Sequence, residues 1–265
     1  MKEKLLTKIQ SENDVYADEE IYWLMDNIGN TDASIRDDIV FNTLANGIVE
    51  GMFTDKQFIH IKDKTIEEHL IFYRIEEQLP STLTRSFTAL LNGFIIQSDG
   101  DLKSPYHNLL THDEREYFFN TAIIYLQKEI DKTGYSEIYG WVHAFAHGGD
   151  YLSKVVQHYL FEECLSKEVL ETVSYVLDNI EKPFLDEEEK RIAHAIFVGI
   201  KHHKISDELM ISWIHQFNFP LEINADFYRL ATFKNILAYI YFHCLTEECL
   251  TKNLEQVLLG YLKEY

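Results

Sequence analysis

The stretch Leu83-Thr84-Arg85-Ser86-Phe87-Thr88-Ala89-Leu90-Leu91-Asn92-Gly93-Phe94-Ile95 decides the fold. Its large apolar residues, Leu83, Phe87, Leu90, Leu91, Phe94 and Ile95, recur at steps of one, three and four. At about 3.6 residues per turn that spacing gathers them into one stripe of an α-helix. Arg85 is the only charged residue between Ser81 and Ser98. A helix without surface charges is expected to be enclosed by its neighbours, so this one predicts a helix in the middle of other helices.

The same period runs outward in both directions. Ile35, Ile39, Val40, Leu44, Ile48 and Val49 form a stripe upstream, and Val169, Leu170, Val173, Val176, Leu177 and Ile180 form one downstream. Further stripes follow at Ile192–Ile200, Leu209–Phe217, Phe227–Cys244 and Leu250–Leu262. Thr111-His112-Asp113-Glu114 is a capping box, Asp186 to Glu189 place acids where a helix N-terminus favours them, and Ser206 opens another helix. Asn30-Thr31-Asp32, Gln97 to Gly100 and Pro220 read as breaks. Only 4 Pro and 11 Gly occur in 265 residues, too few for the turn every roughly 8–12 residues that a sandwich or barrel needs. The expected fold is all-α, one domain over residues 1–265, built as an irregular α–α superhelix of stacked helix pairs in the HEAT or armadillo manner; a helix bundle is the competing arrangement.

Charge and cysteine content exclude several functions. Lys and Arg number 24 against 44 Asp and Glu, a formal net charge of −20. Such a chain repels phosphate backbones and anionic lipid, and its longest basic cluster is Lys201-His202-His203-Lys204, so neither nucleic acid nor a membrane is an expected partner. Cys164, Cys244 and Cys249 make neither a disulfide framework nor a Cys-x-x-Cys pair, which points to a reducing cytoplasm. No secretory signal opens the chain. Phosphate-binding glycine loops and the nucleophile elbow are also missing from the sequence. His112-Asp113 could be half of a metal phosphohydrolase centre, but the capping box accounts for both residues.

The segment Tyr139-Gly140-Trp141-Val142-His143-Ala144-Phe145-Ala146-His147-Gly148-Gly149-Asp150 stands apart. Read as one helix at about 100° per residue, it puts His143, His147, Asp150, Lys154 and His158 on one side. Ile138, Trp141, Phe145 and Leu152 then point to the core. Two imidazoles at i and i+4 with a carboxylate three residues on can meet at one divalent metal, so His143, His147 and Asp150 are the candidate ligands. Ala144 occupies the place of the Glu that serves as base in a His-Glu-x-x-His metalloprotease. The same residues equally describe a metal-free polar site, or buried histidines satisfied by their neighbours, and Gly148 and Gly149 threaten to end the helix. The candidate binding residues are Arg85, Trp141, His143, His147 and Asp150. The function read from them is a binding or scaffold protein with a concave polar site at Trp141–Asp150 for a protein, peptide or small polar ligand. The alternative is a hydrolase that uses His143, His147 and Asp150 with or without a metal.

These residues resemble a known family. Glu129-Ile130-Asp131-Lys132-Thr133-Gly134-Tyr135, then Gly140-Trp141-Val142-His143-Ala144, Ala146-His147 and Asp150, are similar to the bacterial family called domain of unknown function 2785. Arg85-Ser86-Phe87, Asp186 to Arg191 and the early Asp37-Asp38 resemble it too. The Arg usual in that family before the Gly-Tyr pair is Thr133 here. The resemblance implies an all-helical soluble protein and brings no activity with it. Finally, Arg85 and Asp150 are lone opposite charges in two charge-poor segments. A buried charge is costly by several kcal/mol unless paired, so Arg85 is expected to hold a carboxylate of the Glu129–Asp150 region, Asp150 first and Glu129 or Asp131 next.

Overall fold

The computed structural model describes residues 1–9 and 15–263. The chain is mostly helical, with 67% of residues in helices and 2% in strands. The α-helices are α1 (Lys2–Ile9), α2 (Asp18–Asp26), α3 (Ala33–Ile35), α4 (Asn42–Val49), α5 (Asp55–Glu67), α6 (Ser81–Gly100) and α7 (His112–Lys128). They continue as α8 (Ala144–Gln157), α9 (Ser166–Asp178), α10 (Glu188–Lys201), α11 (Asp207–Ile214), α12 (Asn224–Thr246) and α13 (Lys252–Lys263). A π-helical turn, Arg36–Phe41, joins α3 to α4. No described helix is long and apolar enough to cross a membrane.

Packing follows the apolar stripes. Helices α4, α6, α8, α10 and α12 pack each on the next, while α5, α7 and α9 lie against α6, α8 and α10. The charge-poor α6, whose only charged residues are Arg85 and Asp99, is enclosed as its composition requires, burying Ser86, Thr88 and Asn92 along with Leu83, Phe87, Leu91 and Ile95. One apolar core runs from Leu5 to Leu258. A fully buried side chain such as Leu152 contributes about 1.5–3 kcal/mol through its transfer from water.

Helix ends explain most boundaries. Thr111 accepts from the Glu114 N–H at 3.3 Å and Glu114 accepts from the Thr111 N–H at 2.8 Å, the reciprocal box expected there. Ser206 accepts from the Leu209 N–H at 3.2 Å. Two expected boundaries differ. Helix α6 runs through Gln97–Gly100 because Asp99 is buried inside the protein, accepting from the Leu110 N–H at 2.8 Å and facing Arg115 and His158. At the other, α10 starts at Glu188, preceded by Glu187 in the left-handed region at φ 66°, so Asp186 stands outside the helix.

The largest departure is at the motif. Residues 135–141 form a hairpin, β1 (Tyr135–Ser136) antiparallel to β2 (Gly140–Trp141), with Tyr135 opposite Trp141 and Ser136 opposite Gly140. Ser136 Oγ accepts from the Ile138 and Tyr139 N–H groups, and Gly140 takes φ 71°, a conformation open to glycine. The Val142 and His143 N–H groups then both reach the Gly134 carbonyl, at 2.8 and 3.1 Å. The helical period therefore does not extend back to Ile138. Trp141 is 46% exposed on the hairpin rather than in the core, while Phe145, inside α8, is 2% exposed as expected. Gly148 and Gly149 do not end α8. A Cβ at Gly149 would lie 2.7 Å from the Arg191 carbonyl carbon, and one at Gly148 would lie 2.6 Å from Leu126. The two glycines are where α7 and α10 come closest to α8.

Candidate functional site

The hairpin and the first turn of α8 are clamped from both sides by buried arginines. Arg85 is fully buried and holds Glu129 with two parallel bonds, Nε to Oε2 at 2.7 Å and Nη2 to Oε1 at 2.8 Å. Its Nη1 reaches the Tyr73 and Arg74 carbonyls, and Nη2 also reaches that of Glu77. Glu129 in turn accepts from the Tyr125 hydroxyl and from the Ile130 and Asp131 N–H groups. Arg85 was expected to take Asp150 first and Glu129 next; the partner is Glu129. Asp150 lies a full helix start away, where Arg191 Nη1 donates to it at 3.1 and 3.4 Å. On the other side, the fully buried Arg36 donates to the Tyr139 and Trp141 carbonyls at 2.7 and 3.2 Å and to Asp37 at 2.8 Å.

Between these clamps sit the two histidines. His143 is the N-cap of α8, held at φ 47°, and His147 is one turn into the helix. Their rings meet edge to face with centroids 5.8 Å apart, and the Trp141 ring lies on His143 at 4.4 Å. Ser86 Oγ donates to the Val142 carbonyl, and its single proton is thereby used. The contact between Ser86 Oγ and His147 Nδ1, 2.7 Å, must then be donated by the imidazole. His147 is thus fixed with its proton on Nδ1 and its lone pair on Nε2. Burial, followed by the neighbouring His143 and Arg191, pushes its pKa down to about 3. A base that weak takes a proton poorly at neutral pH.

His143 has a different set of neighbours. A ring nitrogen of His143, a carboxylate oxygen of Asp186 and one of Glu188 all lie within 4.8 Å of one another. His143 Nε2 is buried and has no hydrogen-bond partner. Burial holds the His143 pKa below its ordinary value, against the pull of Asp186. Among the described residues no Lys or Arg forms a salt bridge with Asp186 or Glu188. The hairpin presses on the two acids, since a Cβ at Gly134 would fall 2.0 Å from Asp186 Oδ2 and 2.5 Å from Glu188 Oε1. Both carboxylates border a cleft of about 780 Å³ that also touches Asp131, Thr133, Gly134 and Tyr228.

The structure therefore brings Trp141, His143 and His147 together. It takes Arg85 and Asp150 out of that group and supplies Asp186 and Glu188 instead. His147 and Asp150 do not gather with His143 as a ligand set; the groupings of potential metal ligands among the described residues are His143-Asp186-Glu188 and the exposed His112-Asp113-Glu116. In the sequence Asp186 and Glu188 read only as acids at a helix start. The segment's other polar end, Asp150, meets Lys154, Arg191 and His194 at a separate cavity.

No curated protein and no solved structure matches the chain. A family model does, over residues 71–242, roughly two thirds of the chain. The match includes α6, the hairpin, the histidine turn and the Asp186–Arg191 segment, and leaves Asp37-Asp38 outside it. By the extent of that match the chain belongs to the protein family of unknown function called domain of unknown function 2785.

Proposed function

We propose that this chain is a ligand-binding helical protein whose site is formed where the hairpin, with Trp141, meets the start of α8, with His143 and His147. Within that site, His143, Asp186 and Glu188 hold a divalent cation. The observation that carries the reading is the buried, unpartnered Nε2 of His143, on a ring whose nitrogen lies within 4.8 Å of two carboxylates that have no basic partner. Unsatisfied buried polar atoms are rare in native proteins, and each calls for an explanation such as an ion. One imidazole and two carboxylates form a donor set suited to Zn²⁺ or Mn²⁺, with contraction to bonds of about 2.0–2.2 Å. Trp141, its ring tilted against that of His143, would orient the imidazole from outside, and the adjoining cleft of about 780 Å³ gives an approach for solvent or a ligand. The side-by-side succession α6, α8, α10 and α12, with α7 and α9 behind, supports reading the whole as an irregular array of stacked helix pairs that presents this site.

The test is titration of chelator-treated full-length protein with Zn²⁺ and with Mn²⁺ by calorimetry. One ion per chain is expected, with at least tenfold weaker binding in His143→Ala and in Asp186→Asn. Asp150→Asn and His112→Ala should bind as the wild type does. Absence of binding, or affinity unchanged in both His143→Ala and Asp186→Asn, overturns the reading.

A further inference from the structure

A second cavity, of about 440 Å³, opens on the opposite side of the α10 start, between α6, α8, α10 and α12. Its charged lining is Lys154, Lys190 and Arg191 against Asp150 and Glu187, and Lys190 is paired with Glu187. Lys154 comes from α8 and Arg191 and His194 come from α10, one helical turn apart. Arg191, its side chain 60% exposed, gives only Nη1 to Asp150, at 3.1 and 3.4 Å, and among the described residues its Nε and Nη2 meet no acceptor. Among the described residues the Lys154 ammonium makes no hydrogen bond and no salt bridge. Its stem passes Gly93 of α6, where a Cβ would sit 3.6 Å from Lys154 Cγ, and burial lowers its pKa against the pull of Asp150. His194 uses Nδ1 on the Tyr239 hydroxyl at 3.0 Å. The apolar wall is Leu90 and Phe94.

Unused cationic donors converging on a concave surface lack one thing, an acceptor with several lone pairs. The planar guanidinium edge formed by Nε and Nη2 matches two oxygens of a carboxylate or phosphate, and an ammonium adds a point charge beside it. The protein around the cavity carries −20 overall, so an anion would not collect there through the general field; local donors have to recognise it. A volume of about 440 Å³ is within the range of small-molecule sites, about 300–1,000 Å³. We infer that this cavity is an oxyanion site in which Lys154 and Arg191 bind the phosphate or carboxylate of a small organic molecule whose apolar part lies on Leu90 and Phe94. This site is distinct from the proposed cation site and stands without it.

The experiment uses the full-length protein treated with chelator, so that cation binding plays no part, and follows calorimetric titration with inorganic phosphate and with benzoate. Saturable binding of either is expected, with a loss of at least tenfold in Lys154→Met. Lys154 has no partner to orphan, so this variant is expected to keep the wild-type melting temperature. Arg191→Lys, which keeps the charge and loses the planar fork, should weaken binding as well. A response to phosphate alone assigns a phosphate ligand, a response to benzoate alone assigns an aromatic carboxylate, and a response to both assigns a general oxyanion site. Binding of neither probe, or binding unchanged in Lys154→Met, overturns the inference.

Discussion

Two polar clusters lie at the two ends of the same segment, Glu129 to His143, and they are built on opposite terms. At the first end, Arg85 and Glu129 are both fully buried, and every guanidinium N–H and both carboxylate oxygens have partners. At the second end, His143 faces Asp186 and Glu188 with one buried ring nitrogen unsatisfied and no basic side chain paired to the acids. A closed network has no donor or acceptor left to offer a ligand; it fixes geometry. An open one keeps its polar atoms available and gives up stability for it. The residues divide along that line: Arg85 and Glu129 hold the hairpin in place, and His143 is what the hairpin presents.

The largest expected effect lies at the closed end. Arg85→Met leaves Glu129 buried without its cation and should lower the unfolding free energy by about 3–5 kcal/mol, the usual loss when a buried pair is broken, measured by urea denaturation. A loss below about 1 kcal/mol would show that the cluster is not a rigid support for the hairpin.

That pairing also shows how far the sequence can be read. The burial of Arg85 and its partnership with an acid of the Glu129–Asp150 region follow from its being the lone charge between Ser81 and Ser98, yet the choice of Glu129 over Asp150 does not. It depends on where the chain turns after α7, and on the close contact at Gly149 that hands Asp150 to Arg191. Helices with long apolar stripes were legible, as were the caps at Thr111 and Ser206. Trp141 was misplaced because the period-3.6 pattern of α8 continues by chance into the hairpin; the helix itself stops at its N-cap His143, at φ 47°. Asp186 and Glu188 were legible as acids at a helix start and not as neighbours of His143, since their approach joins segments more than forty residues apart, which no local period records. Arg36 gave no signal among its charged neighbours, although it holds two carbonyls of the hairpin.

Acid should act on a buried, ion-paired carboxylate elsewhere in the protein, Glu20. Glu20 is fully buried; burial works to raise its pKa, and bonds from Lys8, the Ala17 N–H and Lys4 outweigh that, bringing it from 4.5 to about 2. Its folded value lies below its unfolded one, so its contribution to stability is complete above about pH 4.5 and is lost as pH falls towards about 2. Unfolding free energies measured across that window should drop in the wild type and drop less steeply in Glu20→Gln. Equal slopes in the two proteins would show that the ion pairs of Glu20 do not stabilise the fold.

A smaller loss is expected midway along the segment, where Ser86 satisfies both the Val142 carbonyl and His147. Ser86→Ala leaves the carbonyl and the Nδ1 proton without partners at a cost of about 1–3 kcal/mol. Because the hydroxyl also fixes the tautomer, NMR of the imidazole nitrogens should show His147 with its proton on Nδ1 in the wild type and a mixture of tautomers in Ser86→Ala. A wild-type spectrum with the proton on Nε2 would reverse the donor assignment.

The smallest effect, and the sharpest contrast with Arg85, belongs to Glu188→Gln in the absence of metal. Glu188 is 1% exposed, and burial, with Asp186 and Glu189 adding to it, raises its pKa. One of its oxygens accepts from the Asp186 N–H at 3.0 Å, a bond that the amide oxygen of Gln can also accept. The substitution removes a buried charge and its repulsion by two neighbouring acids, and it forfeits the attraction of a carboxylate to the α10 N-terminus, worth about 0.3–1 kcal/mol. These terms oppose each other, so the unfolding free energy in chelating buffer should change by less than about 1 kcal/mol, in either direction. Adding Zn²⁺ should then raise the melting temperature of the wild type and leave that of Glu188→Gln where it was. Destabilisation by about 3 kcal/mol or more, as for a broken buried pair, would place Glu188 in a closed network like that of Glu129 and erase the difference between the two ends of the segment.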